Sequence, residues 1–250
     1  MFRTSIVIPV ALMGALLLSS PLPAEESPYA DPAWQQAVEK AVESYIRSHP
    51  EVIEQTLQSL EAKRQTEELV RVKAVIADRQ NELLNDPTSP VSGNLKGDVT
   101  VVEFFDYRCG FCKRVAPAVT QLQKDDPRVR VVYKDLPILG EASETATKAA
   151  LASRAQGKHQ AFHEALMASK EDLSQEKVLK IAAEVGLDAT KIQADMANPD
   201  YEAVIERNRA LARGLGIGGT PAFVIGNEFV PGTMDLNAMK ELVARVRNAK

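Results

Sequence analysis

The 250-residue chain has two cysteines, and they stand three positions apart in Cys109-Gly110-Phe111-Cys112. Two thiols at i and i+3 can close into a disulfide and open again, so the pair is first of all a two-electron redox couple. The apolar run Val99 to Phe105 ahead of it reads as a strand, and Gly110 to Gln123 reads as a helix. Cys109 then falls at the helix N-terminus, where unpaired N–H groups and the positive end of the dipole stabilise a thiolate. Thiolates are the attacking species in thiol–disulfide exchange. Cys112 would lie one turn inside, where burial favours the protonated thiol. Two blander roles compete. Free cysteines often serve as small apolar core residues. A structural zinc site wants four ligands, but no second CxxC exists and His49, His159 and His163 are distant in sequence.

Residues 1–24 have the layout of a secretory leader. Arg3 supplies the positive start, Ile6 to Leu18 the apolar stretch, and Leu22-Pro23-Ala24 a cleavage site before Glu25-Glu26. The rival reading is a retained membrane anchor, but these thirteen apolar-rich residues contain Pro9 and Gly14 and fall short of the ~20 that a bilayer span needs. Export changes the meaning of the cysteine count. A secreted protein stapled by disulfides carries several scattered pairs, whereas a single closely spaced pair points to chemistry. Loss of Arg3 takes the formal charge from -4 to -5, and the remaining Lys and Arg are interspersed with Asp and Glu. That pattern argues against a nucleic-acid partner. The 226 residues left are enough to bury a core without staples, as one domain plus an appendage.

The elements that must position the thiols follow from the patterning. Asp31-Pro32 reads as an N-cap and first helical residue, with Trp34, Val38, Val42, Tyr45 and Ile46 at helical spacing as far as Ser48. Pro50 opens a second helix carrying Ile53, Leu57 and Leu60, which turns polar all round from Glu61 to Glu68. The stripe then resumes as Leu69, Val72, Ile76 and Leu83, with Arg79 at a core-like position. So little apolar surface cannot fold alone. It calls either for an oligomerisation stalk or for packing of the helices on their own domain, and the polar stretch favours the stalk. Residues 85–97, rich in Pro, Ser, Gly and Asn, read as a linker.

From Asp98 the pattern is α/β. A second strand, Arg128 to Lys134, completes a βαβ unit around the CxxC, and the intervening helix contains Pro117. Ala142 to Leu211 is helical with breaks at Gly157, Gly186 and Asn198-Pro199. A short strand pair, Pro221 to Ile225 and Glu228 to Val230, precedes a final helix from Asp235 to Asn248. The chain thus divides into a leader (1–24), an N-terminal helical oligomerisation region (25–84), a linker (85–97) and an α/β domain (98–250) with a helical insertion at about 141–213.

Four segments together carry a family resemblance: VVEFFDYRCGFC at 101–112, KDLPILG at 134–140, AFHEALM at 161–167 and GIGGTPAFVIG at 216–226. The chain resembles the DsbA-like branch of the thioredoxin superfamily, and its helical N-terminal region makes it similar to the ScsC and Com1-like periplasmic members, in which such a region mediates oligomerisation. The resemblance implies a thioredoxin fold with an inserted helical subdomain behind an N-terminal stalk. It implies Cys109 as exposed nucleophile, Cys112 as resolving thiol, and no cofactor or metal beyond the Cys109–Cys112 disulfide. Thr220-Pro221 would hold a cis peptide beside the CxxC, an inexpensive isomer for X-Pro, with Thr220 offering backbone groups to bound peptide. Gly110-Phe111 would tune the couple. It is unlike the Pro-His of oxidases, closer to the Gly-Tyr of isomerases, and adds no charge near the sulfur. Glu103 matches a buried acid that takes or relays the resolving thiol's proton, with Lys134 as a possible charge partner. His159 and His163, one helical turn apart, read as packing within AFHEALM rather than as metal ligands, and Trp34 and the methionines as core or stalk packing.

These features lead to the expectation of a periplasmic thiol:disulfide oxidoreductase, an isomerase or reductase of unfolded or misfolded secreted proteins. A membrane thiol reductase of DsbD/ScsB type would keep it reduced, and it would work as a homo-oligomer. The alternatives are a dithiol oxidase of DsbA type, or a Cu(I)-binding copper-tolerance protein using the same thiols. A purely structural oligomer leaves the CxxC unexplained.

Overall fold

The computed structural model describes residues 31–249, so the leader expected at residues 1–24 lies outside the described residues. The chain forms two compact units, one ending at Ala62 and one beginning at Lys63.

In the first unit, helix α1 (Pro32–Ser48) begins at Asp31, whose carboxylate accepts from the Ala33 N–H at 2.8 Å. It ends where the His49 N–H donates to the Tyr45 carbonyl, and Pro50 opens helix α2 (Pro50–Asp78). No α1 residue is buried. Trp34, Val38, Val42, Tyr45, Ile46, Ile53, Leu57 and Leu60 are all exposed.

The second unit is built on a five-stranded sheet. Its strands are β1 (Val91–Gly93), β2 (Val99–Phe105), β3 (Val129–Asp135), β4 (Ala222–Ile225) and β5 (Glu228–Pro231), in the order β1-β3-β2-β4-β5. The β2–β3 pair is parallel and the others antiparallel. A parallel pair needs a crossover, which helix α4 (Gly110–Asp125) provides. Both faces are covered, which explains why β2 reads as a nearly continuous apolar run. The alternation of side chains sorts the two cores. Val99, Val101, Phe105, Val131 and Phe223 pack with Val115, Val119 and Leu122 of α4, and Val102, Phe104, Val132 and Val224 fill the opposite face.

Helix α3 (Gln80–Leu84) and the end of α2 lie on that opposite face, where Val72, Ile76 and Leu83 are buried. This corrects the reading of the Leu69–Leu83 stripe as an oligomer seam. Three of its four residues are covered by the chain's own sheet, and Leu69 alone stays 61% exposed. The expected linker is also partly sheet. Val91 pairs with Val132, and a Cβ at Gly93, whose φ is 74°, would stand 2.7 Å from the Val129 carbonyl oxygen.

The insertion comprises α5 (Glu141–Ser153), α6 (His159–Ala168), α7 (Gln175–Glu184), α8 (Ala189–Asp195) and α9 (Pro199–Leu215). Breaks fall at Gly157, Gly186 and Asn198, and one more at residues 169–174 that the sequence pattern did not reveal. Helix α10 (Leu236–Asn248), capped by Asp235, closes the unit. No helix among the described residues is long and apolar enough to cross a membrane.

Candidate active site

Cys109 is the N-cap of α4, in extended backbone geometry, and both cysteines are free thiols. Its sulfur accepts from the Cys112 N–H at 3.4 Å and donates to the Thr220 carbonyl at 3.2 Å. Residues 111 positions apart meet here because β4 runs antiparallel to β2 with Ala222 opposite Phe104. That register sets the loop ahead of β4 at the C-terminal end of β2, and the Thr220–Pro221 peptide is cis. Cys109 is only 6% exposed, less open than an exposed nucleophile implies, because its sulfur lies against the Thr220 carbonyl. Cys112 is completely enclosed. Burial pushes its thiol up, against hydrogen bonds from the Asp106 backbone and Thr220 that lower it.

Phe111 stands 58% exposed, with the Arg114 guanidinium 4.2 Å above its ring, a cation–π contact. An added Cβ at Gly110 would meet only Arg114 at an ordinary 3.8 Å, so close packing does not demand glycine there. On the other side of Phe111 a cavity of about 390 Å³ is lined by Gly218, Gly219, Thr220, Pro221 and Phe229.

Asp106 holds this turn together and was not singled out by the sequence. Its buried carboxylate accepts from the Arg108 N–H at 2.7 Å, the Ser143 hydroxyl at 2.8 Å, and the Ile138 and Leu139 N–H groups at 2.8 and 3.1 Å. One local signal existed, because an Asp two residues before a turn N–H is a common Asx-turn. Nothing local announced the partners in the Leu136–Gly140 loop.

Glu103 projects from β2 toward the α4 face. It is buried, its Oε1 has no hydrogen-bond partner among the described residues, and burial raises its carboxyl to about 8. It lines a cavity of about 300 Å³ with Lys113, Pro117, Thr120, Tyr133 and His163. His163 Nδ1 lies 3.1 Å from the Tyr107 hydroxyl, and the His159 and His163 rings stack at 5.9 Å. Burial holds both imidazoles down to about 3, hence neutral. Among the described residues no group of three or more His, Cys, Asp or Glu is arranged to hold a metal ion. Asp135, at the end of β3, is a second buried carboxyl without side-chain partners, raised by burial to about 7.

Lys134 is not the charge partner of Glu103. The β2–β3 register places Glu103 opposite Tyr133 and Phe104 opposite Lys134, so alternation sends the lysine to the other face. There its ammonium donates to the Glu82 carbonyl at 2.6 Å, the Ser89 hydroxyl at 2.7 Å and an Asp86 carboxylate oxygen at 3.5 Å.

The model of the DSBA-like thioredoxin domain matches residues 100–244. The chain belongs to the DsbA-like thioredoxin-domain family. Residues 35–67 match a second model, the N-terminal domain of the copper resistance protein ScsC. Among solved structures, a thioredoxin-like oxidoreductase from Silicibacter pomeroyi is 49% identical, covers 68% of this chain and 98% of its own, and superposes with a TM-score of 0.67. A linker-deletion mutant of Proteus mirabilis ScsC is 27% identical over 88% of this chain and 98% of its own, with a TM-score of 0.69. The thiol:disulfide interchange protein DsbA of Bordetella parapertussis is 27% identical over 146 residues, 56% of this chain and 69% of that protein. The first curated relatives are Na(+)/H(+) antiporters, among them one from Salinispora tropica, and this chain matches only 24% of that protein's length. The DsbA-like assignment therefore concerns residues 100–244, the part of the chain that the domain model matches.

Proposed function

We propose that this DsbA-like oxidoreductase is a periplasmic disulfide reductase and isomerase for misfolded secreted proteins. The observation that carries the reading is the placement of two free thiols, Cys109 at the N-cap of α4 against the Thr220 carbonyl and Cys112 enclosed one turn within. A Cys109 thiolate attacks a client disulfide, a Cys109–client disulfide forms, and the first client thiolate leaves and takes a proton. Cys112 then gives up its proton and attacks the Cys109 sulfur, and the second client thiolate leaves. The client gains two electrons from the Cys109/Cys112 pair and its two thiolates take protons from water, which receives in turn the proton Cys109 lost on ionising and, by way of Glu103, the one Cys112 gives up. Glu103, buried on the α4 face with a free oxygen, accepts the Cys112 proton when it is itself ionised, so resolution speeds up as pH rises through about 8. Thr220 and Pro221 border the apolar cavity in which an extended client segment would lie.

The direction of exchange rests on Gly110 and Phe111, neither of which adds a charge to stabilise a thiolate strongly. A membrane thiol reductase would return two electrons to the pair. The exposed apolar row of α1 and the first half of α2, together with the ScsC N-terminal match, supports assembly into a homo-oligomer. Export rests on the leader pattern at residues 1–24. For Cu(I), Cys109 and Cys112 offer two sulfurs with no third His, Cys, Asp or Glu gathered at them among the described residues.

The test is recovery of a scrambled disulfide-bonded protein by the reduced mature chain, beside a truncation that removes the first compact unit. The full chain should reshuffle, and the truncated one, cut at Lys63 so that Val72, Ile76 and Leu83 stay on the sheet, should exchange thiols but reshuffle poorly. A strongly oxidising equilibrium with glutathione and no reshuffling would instead favour the oxidase.

A further inference from the structure

We propose that a basic groove beside Cys109 selects clients with acidic residues flanking the reacting cysteine. This deepens the exchange reading of the Cys109 site and rests on it. The groove, about 570 Å³, lies between the first turns of α4 and residues 169–173 of the loop joining α6 to α7, and begins at Gly110, directly after Cys109. Whatever occupies it during attack is the part of the client next to the scissile disulfide.

Its wall carries four cations, Arg108, Lys113, Arg114 and Lys170, and two acids, Glu171 and Asp172. The acids are already engaged. Asp172 accepts from Arg108 at 3.1 Å, and Glu171 accepts at 2.6 Å from Lys177, which is outside the groove. Among the described residues no carboxylate comes within ion-pair distance of Lys113, Arg114 or Lys170. Lys113 feels Asp172 and Asp106 only beyond ion-pair distance, and this local excess of positive charge is no echo of composition, since the whole chain is net -4.

The donors are also placed to receive an anion. The Lys113 ammonium spends one hydrogen bond on the Ser169 carbonyl at 2.7 Å, which leaves two N–H groups for another acceptor. The Arg114 guanidinium carbon stands 4.2 Å from the Phe111 ring centroid, and no hydrogen bond or ion pair to another of the described residues occupies its N–H groups, which can pair with a carboxylate. The cavity across Phe111 is bordered instead by Ile217, Pro221, Phe229 and Pro231, so the two sides of the thiols differ in chemistry. A client strand with apolar residues on one side of its cysteine and Asp or Glu on the other complements both. Opposite charge chiefly accelerates encounter and is weakened by salt.

The experiment uses the reduced full chain and three peptides, each joined through one cysteine to 2-mercaptoethanol and differing only in its flanking residues: Asp-Glu, Ser-Asn or Lys-Lys. Stopped-flow rate constants are read as the acidic-to-neutral ratio for each protein, so that a change in thiol reactivity cancels. The expected ratio is about five- to tenfold in ~20 mM salt, falling toward one near ~0.5 M. Arg114→Glu combined with Lys170→Glu should bring it below one, and Lys170→Glu alone should lower it partway, which keeps the test decisive if the double variant does not fold. A ratio of one in the unmodified protein, with the neutral peptide still exchanging, overturns the groove and leaves the exchange reading standing. No exchange with any peptide overturns both.

Discussion

Glu103 and Lys134 occupy neighbouring strands, each is 1% exposed, and their surroundings differ completely. The lysine has three acceptors, Glu82, Ser89 and Asp86, which fasten the segment ahead of β1 to the sheet. The glutamate has an oxygen with no partner and faces the helix that carries the thiols. A buried ionised group without a partner costs several kcal/mol, and the usual outcome is a shifted pKa. Burial accordingly raises Glu103 to about 8, whereas for Lys134 the desolvation that lowers its pKa is opposed by Asp86 and Glu82. Equal burial thus marks a fastener on one face of the sheet and, on the other, an unpartnered carboxyl that stays protonated to about pH 8. A buried carboxyl oxygen left without a partner is a cost that stability alone would not select.

The largest effect expected from this contrast is a pH dependence that belongs to Glu103. Its folded value of about 8 lies above the ordinary 4.5, so as pH rises the unfolded chain releases the proton first. The stabilisation is fully present below about 4.5 and is lost as pH climbs through about 8. At about 1.4 kcal/mol per unit the loss is on the order of 5 kcal/mol. Thermal melts of the reduced protein should therefore fall from about pH 6.5 to pH 8, above the range in which the buried His159 and His163 contribute with the opposite sign, and Glu103→Gln should remove most of that slope. Asp135, raised to about 7, has the same sign and leaves a smaller residual. If Glu103→Gln keeps the full slope, Glu103 is not the unsatisfied group. The same variant should abolish the inflection near pH 8 in the rate at which Cys112 resolves a mixed disulfide.

Lys134→Met should act in the opposite sense and more weakly. It strips the donor from Glu82, Ser89 and Asp86 and should cost about 3 kcal/mol, or roughly 10 °C in Tm. It should leave the pH profile of resolution unchanged. A shifted profile would mean that the two faces are coupled and the contrast is false.

Local patterns carried much of this molecule. The strand before the CxxC, the helix after it, the breaks at Gly157 and Gly186 and the Gly-Thr-Pro loop all announce themselves within a few residues. What stayed hidden depends on distant partners. Asp106 looks like an ordinary turn residue until the Leu136–Gly140 loop folds onto it. Lys134 suggests a partner for Glu103 only while the register is unknown, because one residue of offset reverses the face. The stripe from Leu69 to Leu83 shows that a helix has an apolar side, but periodicity does not say what covers it, and here the sheet covers Val72, Ile76 and Leu83. Strand β1 has three residues, one of them Gly93, and offers too short an alternation to stand out from a loop.

The most direct test of the assigned roles is to trap the exchange midway. Cys112→Ser, mixed with a disulfide-bonded client, should accumulate a covalent adduct that peptide mapping places on Cys109, and Cys109→Ser should form none. An adduct on Cys112 in the Cys109→Ser protein, with none on Cys109 in its counterpart, would contradict the account.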